Sequence, residues 1–349
     1  MKIAQVAPLY ESVPPKYYGG TERAVSYLTE ELVRQGHEVT LFASGDSETK
    51  ATLAAQRKNS LRLDKKCVDG VVHHALMAER VYQRADEFDI IHSHMDYLPY
   101  ALFRRCATPS VTTLHGRLDL PDLIPLYQEF LDINVISISN AQRDPLPWIN
   151  WRGTVYHGLP PDLYKFNERH GAYLAFIGRI SLEKRLDVAI DIAIKAGVPL
   201  KIAAKVDKTD QVYFENIIEP LLKHPLIEYI GEIGENEKQE FLGNALGLAF
   251  PIGWPEPFGL VMIEAMACGT PVIAYPCGSV PEIMAHGQTG FICSNVEEAV
   301  EAVKNLGNLN RWRCRQIFEL RFSVERMAED YVNIYKKLTE QKAELVSAA

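Results

Sequence analysis

Several features that announce a function quickly are missing from this chain. Its six cysteines, Cys67, Cys106, Cys268, Cys277, Cys293 and Cys314, are scattered, with no C-x-x-C and no Cys/His spacing suited to a metal. Reduced, packed thiols and no metal site are expected. No apolar run approaches the roughly 18 residues of a membrane-spanning helix. Surplus basic charge is also lacking: 37 Lys and Arg stand against 45 Asp and Glu, a net charge of −8, which argues against nucleic acid as the main partner. Residues 1–8 lack the long apolar stretch of a signal peptide, and Gln5 interrupts what there is. They read as a first strand, and the expected location is the cytoplasm.

What is present is ordinary in bulk and specific in pattern. A length of 349 residues, 47% hydrophobic and 23% charged, suits a globular protein of two domains. Short apolar or β-branched runs alternate with amphipathic stretches: strand over 2–7, helix over 22–35 stopped at Gly36, strand over 39–43, then strands over 90–94, 111–114 and 135–139 with helices near 77–86 and 98–106. Such alternation implies parallel sheets. Around residues 158–166 the periodicity lapses into turn residues, and a second set begins: strand 173–177, helix 186–196, strand 200–204, helix 211–222, strand 227–230, helix 238–245, strand 246–250. The expected domains are 1–158 and 159–322, both Rossmann-like, with a C-terminal helical stretch over 323–349.

The most informative run is Pro255-Glu256-Pro257-Phe258-Gly259-Leu260-Val261-Met262-Ile263-Glu264-Ala265-Met266-Ala267-Cys268-Gly269-Thr270-Pro271. The prolines favour an extended Glu256 and a helix beginning near Phe258, with Gly269 and Pro271 ending it. Glu264 lies among apolar neighbours, where a carboxylate needs a partner. Free amides at Phe258, Gly259 and Leu260, with the positive end of the helix dipole, form an anion site nearby. A phosphate-plus-polyol ligand fits this arrangement. Spacing alone serves equally well a helix-capping charge and an internal ion pair.

This segment resembles the Glu-x7-Glu signature of family 4 of the retaining glycosyltransferases, which have the GT-B fold. The Gly-Thr-Pro-Val that follows, Gly278-Ser279-Val280-Pro281-Glu282 and Gly287 to Gly290 come in the family's order. The resemblance implies two Rossmann-like domains facing across a cleft, with the C-terminal helix crossing back to the first. It assigns Glu264 to the ribose hydroxyls of a nucleotide-sugar donor, Glu256 to the transferred sugar, and the Phe258, Gly259 and Leu260 amides to the diphosphate. Arg179 and Lys184, in Gly178-Arg179-Ile180-Ser181-Leu182-Glu183-Lys184, end a strand of the second set, where open α/β sheets bind ligands. By themselves they read more simply as a solvated charge cluster. The family's G-R-x(4)-K element assigns both to the donor β-phosphate.

In the first set, Gly19-Gly20 lies between strand and helix, where glycine permits close backbone approach. The family implies that Gly20 meets the diphosphate. His115, in Thr112-Thr113-Leu114-His115-Gly116, matches the T-x-H-G element whose histidine contacts the sugar. His92 and His94 share a strand face but have no third metal-spaced ligand, so they read as hydrogen-bonded histidines. His157 stands where many relatives carry Asn-Gly. No Asp-x-Asp occurs, so no metal is implied and the departing diphosphate is left to Arg179, Lys184 and the helix N-terminus.

The expected activity is thus transfer of a hexose, with a UDP-sugar as donor, to an acceptor the sequence does not identify. No cofactor is expected. The rival readings are a nucleotide-sugar epimerase and a non-catalytic sugar-nucleotide binder. The basic stretch over 50–66, with Leu53, Leu61 and Leu63 between its lysines and arginines, reads first as solvated helix and loop and second as a weak peripheral contact with the inner face of a membrane.

Overall fold

A computed structural model describes residues 1–17, 19–62 and 64–348. Leu63, which figures in the sequence reading, lies outside the described residues, as do Tyr18 and Ala349. The chain forms two compact units, Met1–Gly158 together with the segment from Val324 onward, and Leu159–Ser323.

Unit one is built on seven strands: β1 (Lys2–Val6), β2 (Glu38–Ala43), β3 (Thr52–Ala55), β4 (Ile90–Ser93), β5 (Ser110–Thr113), β6 (Val135–Ser137) and β7 (Trp151–Thr154). Their order is β3-β2-β1-β4-β5-β6-β7 and every pairing is parallel. Parallel neighbours require crossovers, and the Gly20–Arg34 helix supplies the first. Its Ala24, Val25, Leu28 and Leu32 fall on one face and are buried. The Val324–Ala348 helix belongs to the same core. Val324, Met327, Ala328, Tyr331, Tyr335 and Leu338 recur at helical spacing and pack with Ile3, Leu28 and Leu32.

Unit two repeats the plan with β8 (Leu174–Arg179), β9 (Leu200–Lys205), β10 (Ile227–Gly231), β11 (Gly247–Phe250), β12 (Val272–Ala274) and β13 (Gly290–Ile292). The order is β10-β9-β8-β11-β12-β13, again wholly parallel. Each unit is a Rossmann-like parallel-sheet α/β layer structure. The strand order reverses once per sheet, between β1 and β4 and between β8 and β11. At such points the loops leaving the carboxyl ends of adjacent strands diverge and open a crevice.

Several elements differ from expectation, each for a local reason. The helix expected from residue 77 starts at Gly70, capped by the Asp69 side chain. That expected over 98–106 is reduced to Tyr100–Phe103. Edge strands β3 and β7 are short and only partly buried, so they carry little apolar signal. The Arg311–Arg321 helix hides its buried face behind two arginines. Arg311 is 2% exposed and donates to the carbonyls of Asn167, Gly243 and Ala245 at 2.7–2.9 Å and to Thr270 Oγ1 at 2.6 Å. Arg315 likewise donates to the carbonyls of Pro161, Tyr164 and Ala267. One buried guanidinium thus ties a loop, a helix end and a strand entry together. Among the described residues no helix is long and apolar enough to cross a membrane.

Replacing Arg311 by Met keeps the aliphatic stem and takes the donor from four acceptors, of which the Gly243 carbonyl keeps Asn167 Nδ2. The expected cost is about 3 kcal/mol, read as a lowered urea midpoint. A midpoint within a few tenths of a molar of wild type would show that water replaces the guanidinium at no cost.

Candidate functional site

In unit two the residues singled out by the sequence gather at the β8/β11 reversal. β8 ends at Arg179, a 3-10 turn spans Leu182–Lys184, and Arg185 adopts φ 52° before the next helix. The loop after β11 is tied to that turn by the Gly253 amide donating to the Glu183 carbonyl at 2.9 Å. Lys184 Nζ pairs with Glu256 Oε2 at 2.6 Å, and Trp254 Nε1 donates to the same oxygen at 2.9 Å. The ammonium also lies 5.6 Å from the Phe250 ring centre and 5.8 Å from that of Trp254. Glu264 is 2% exposed, and its Oε1 pairs with Lys238 Nζ at 2.8 Å. Lys238 also reaches Glu235 at 3.5 Å.

Both glutamates are therefore in ion pairs, one of the alternatives that spacing left open. Each uses a single oxygen, and among the described hydrogen bonds Glu256 Oε1 and Glu264 Oε2 have no protein donor. Lys238 and Trp254 escaped sequence reasoning. A lysine three residues into a helix and a tryptophan two residues from Glu256 carry no signal until the strands bring their loops together.

The helix itself spans Leu260–Ala267 and starts two residues later than expected, because Gly259 takes φ 79°. Its first amides have no intrahelical acceptor. The loop before it is braced from behind. Ser279 N donates to the Glu256 carbonyl at 2.9 Å and Ser279 Oγ to the Phe258 carbonyl at 2.8 Å. Gly278, at φ 59°, lies so close that a Cβ there would be 2.3 Å from Glu256 N. Arg179 is surrounded by acid, with Glu183, Asp207 and Asp210 carboxylates at 3.3, 3.8 and 3.6 Å. An anion reaching it must displace these partners.

In unit one, Gly20 is the first residue of its helix. Glu22, in the same turn, is 5% exposed, and burial pushes its carboxyl up to about 7. Sequence reasoning passed over it, since a Glu in a first helical turn reads as a favourable dipole charge. His94 follows β4 and His115 follows β5. His94 Nδ1 and His115 Nε2 are 2.9 Å apart, and His94 Nε2 is 2.9 Å from Gln5 Oε1. His92 joins Gln5, Thr113 and Tyr335. His157 stacks on His115 with ring centres 5.3 Å apart and planes 12° off parallel. Burial holds His92, His94 and His157 well below the usual imidazole range and His115 at about 3. Among the described residues no group of three or more His, Cys, Asp and Glu is arranged to hold a metal.

Among the described residues of the basic stretch over 50–66 there is no helix. They contain β3 and irregular chain, Arg57 pairs with Asp64 at 2.5 Å and Arg62 with Glu11. Leu61 is buried in the unit-one core.

With this geometry established, residues 18–153 match the family described as Glycosyltransferase Family 4, and residues 165–317 that described as Glycosyl transferases group 1. An uncharacterized glycosyltransferase of Methanocaldococcus jannaschii is 25% identical over 96% of this chain and 98% of its own. Among solved structures, a sucrose-phosphate synthase from Thermosynechococcus elongatus superposes with a TM-score of 0.79 at 17% identity, over 98% of this chain and 100% of the other. The Anabaena protein HepE, in complex with UDP and glucose, gives 0.69 at 20% identity over the whole of both chains. The chain is a glycosyltransferase of the GT-B type.

Two outcomes test the geometry without any substrate. Gly278→Ala forces the Glu256 backbone aside and strains a positive φ, at a cost of about 2 kcal/mol or more. In 5-fluorotryptophan-labelled protein the Trp254 fluorine resonance moves while those of Trp148 and Trp151 stay. An unmoved Trp254 resonance would refute the bracing role. For Glu22, the folded carboxyl holds its proton up to about 7 while the unfolded one releases it near 4.5, so its contribution to stability falls as pH rises between those values. Glu22→Gln removes that loss, by roughly 3 kcal/mol, making the variant more stable than wild type at pH 8 but not at pH 4.5. Equal differences at both pH values in urea titrations would contradict this.

Proposed function

We propose that the protein transfers a hexose from a nucleoside-diphosphate sugar, a UDP-sugar, with retention at the anomeric carbon and without a metal, to an acceptor selected by unit one. The observation that carries the reading is the arrangement at the β8/β11 reversal, where two lysine-paired glutamates flank the amide end of the Leu260–Ala267 helix. The UDP and glucose held by the Anabaena protein of similar fold support the choice of donor.

In this reading Glu264 accepts from the ribose hydroxyls through its unused oxygen. The Phe258, Gly259 and Leu260 amides hold the diphosphate, where the helix dipole favours negative charge. Lys184 and Arg179 neutralise the β-phosphate as the bond to the sugar breaks, and Arg179 exchanges its three carboxylate partners for phosphate oxygens. From unit one, Gly20 is assigned to the diphosphate and His115 to a sugar hydroxyl. Glu256 is a poor nucleophile, because Lys184 and Trp254 both draw on its Oε2. Its role is to orient the sugar. Retention then follows from acceptor attack on the face the phosphate leaves, with the leaving phosphate taking the acceptor proton.

Glu264→Gln is expected to weaken UDP-glucose binding about tenfold or more, about 1.4 kcal/mol, measured by calorimetry. Glu256→Gln is expected to lower kcat for donor hydrolysis while KM changes little. Affinity and turnover both unchanged would make the two ion pairs structural only, and an inverted anomeric configuration in the product NMR spectrum would dismiss the same-face mechanism.

A further inference from the structure

His92, His94 and His115 of unit one lie in a hydrogen-bonded chain whose directions can be assigned. Gln5 is buried on β1, and its side chain bridges two sets of partners. Its Oε1 can only accept, so His94 Nε2, 2.9 Å away, carries a proton. A neutral His94 then presents Nδ1 as an acceptor, and the proton in its 2.9 Å contact with His115 comes from His115 Nε2. On the other side, Gln5 Nε2 donates to Tyr335 Oη at 3.2 Å and faces His92 Nδ1 at 3.3 Å. Tyr335 Oη lies 2.6 Å from His92 Nδ1, and His92 Nε2 lies 2.7 Å from Thr113 Oγ1, which donates to Tyr331 Oη at 3.1 Å.

Rotating the Gln5 amide by half a turn would reverse every bond in this chain. The Thr113 hydroxyl decides between the two directions. Its one proton goes to Tyr331 Oη, so toward His92 Nε2 it can only accept, and His92 carries its proton there. His92 Nδ1 is then an acceptor, Tyr335 donates to it across 2.6 Å, and Gln5 faces that pair with its amide nitrogen.

We infer that Gln5 and His94 are positioning residues that fix His115 as the Nε2–H tautomer, so that its Nδ1 meets the ligand as a lone pair and accepts a hydrogen bond from a sugar hydroxyl. This rests on the assignment of His115 to the sugar. No hydrogen bond among the described residues reaches His115 Nδ1, and His115 as a residue is half-buried where His92 and His94 are buried. The groups that act on the ring are few. They are His94 along the chain, His92 behind it, His157 stacked on it, the Asp96 carboxyl toward its backbone N–H, and Arg326 of the Val324–Ala348 helix, which acts on His157. Burial keeps the histidines of the chain neutral, which the alternating pattern of donors and acceptors requires. His115 so held is an acceptor for substrate and not a general acid.

Long-range proton–nitrogen NMR of the whole protein labelled with 15N-histidine reads each tautomer directly, with His→Gln variants providing assignments. The expected spectrum at pH 7 shows His94 and His115 both protonated at Nε2 and bare at Nδ1. A His115 protonated at Nδ1, or at both nitrogens, would overturn the inference. In Gln5→Met the expected result is averaging of the His94 and His115 nitrogen signals between tautomers, with kcat for UDP-glucose hydrolysis down about tenfold and KM within about twofold. A single unchanged tautomer in Gln5→Met would remove Gln5 from the role. Adding UDP-glucose to wild type is expected to shift the His115 Nδ1 signal alone. Spectra blind to UDP-glucose with the predicted tautomer intact would instead count against the assignment of His115 to the sugar.

Discussion

Glu256 and Glu264 are negative charges withdrawn from water, and unit two is organised around the need to answer them. A buried carboxylate without a partner is worse by several kcal/mol than one that is paired. Lysines are accordingly delivered from other elements, Lys184 from the turn after β8 and Lys238 from the Glu235–Gly243 helix. That delivery works only if the strand order places those loops side by side, which the reversal between β8 and β11 does. The Gly253–Glu183 backbone bond and the Gly278–Ser279 brace then fix the distances. Replacing such pairs by apolar residues would cost a fold little, so two of them beside an amide-rich helix end are better explained by a ligand than by stability.

Unit one solves a related problem with the opposite chemistry. Its polar groups at the β1/β4 reversal are buried and uncharged, joined in a chain where each donor meets one acceptor. The Val324–Ala348 helix supplies Tyr331 and Tyr335, so the last helix of the sequence completes a network begun at Gln5 in the first strand. Glu22 extends the contrast, since its burial without a strong cationic partner raises its carboxyl to about 7 where the unit-two glutamates have lysines beside them.

Much of this was legible before any coordinates. Parallel sheets follow from alternating apolar runs, and the helix over Leu186–Ala196 coincides with its expected bounds because its apolar face and terminal Gly197 are unambiguous. Elements whose stability comes from tertiary contact were not legible. The Arg311–Arg321 helix looks solvated in sequence because two of its core-facing residues are arginines, whose carbonyl partners are as far away as Asn167 and Pro161. In the site, Lys184 and Glu256 were both visible, but not their union, which depends on a loop contact between residues 72 positions apart. Gln5 carried no signal of its own beyond interrupting an apolar run.

That interruption is the more telling detail. A central parallel strand is buried on both faces, and a glutamine in its middle is unfavourable unless both ends of its amide are satisfied. Here the oxygen is matched by His94 and the nitrogen by Tyr335, with His92 within reach. An apolar residue at position 5 would pack as well and would sever the link between the two sets of partners. A chain that only had to be stable has no use for such a bridge. A chain that must present one nitrogen of one imidazole in one protonation state does, because an isolated neutral histidine populates both tautomers and only a fixed acceptor behind it selects one.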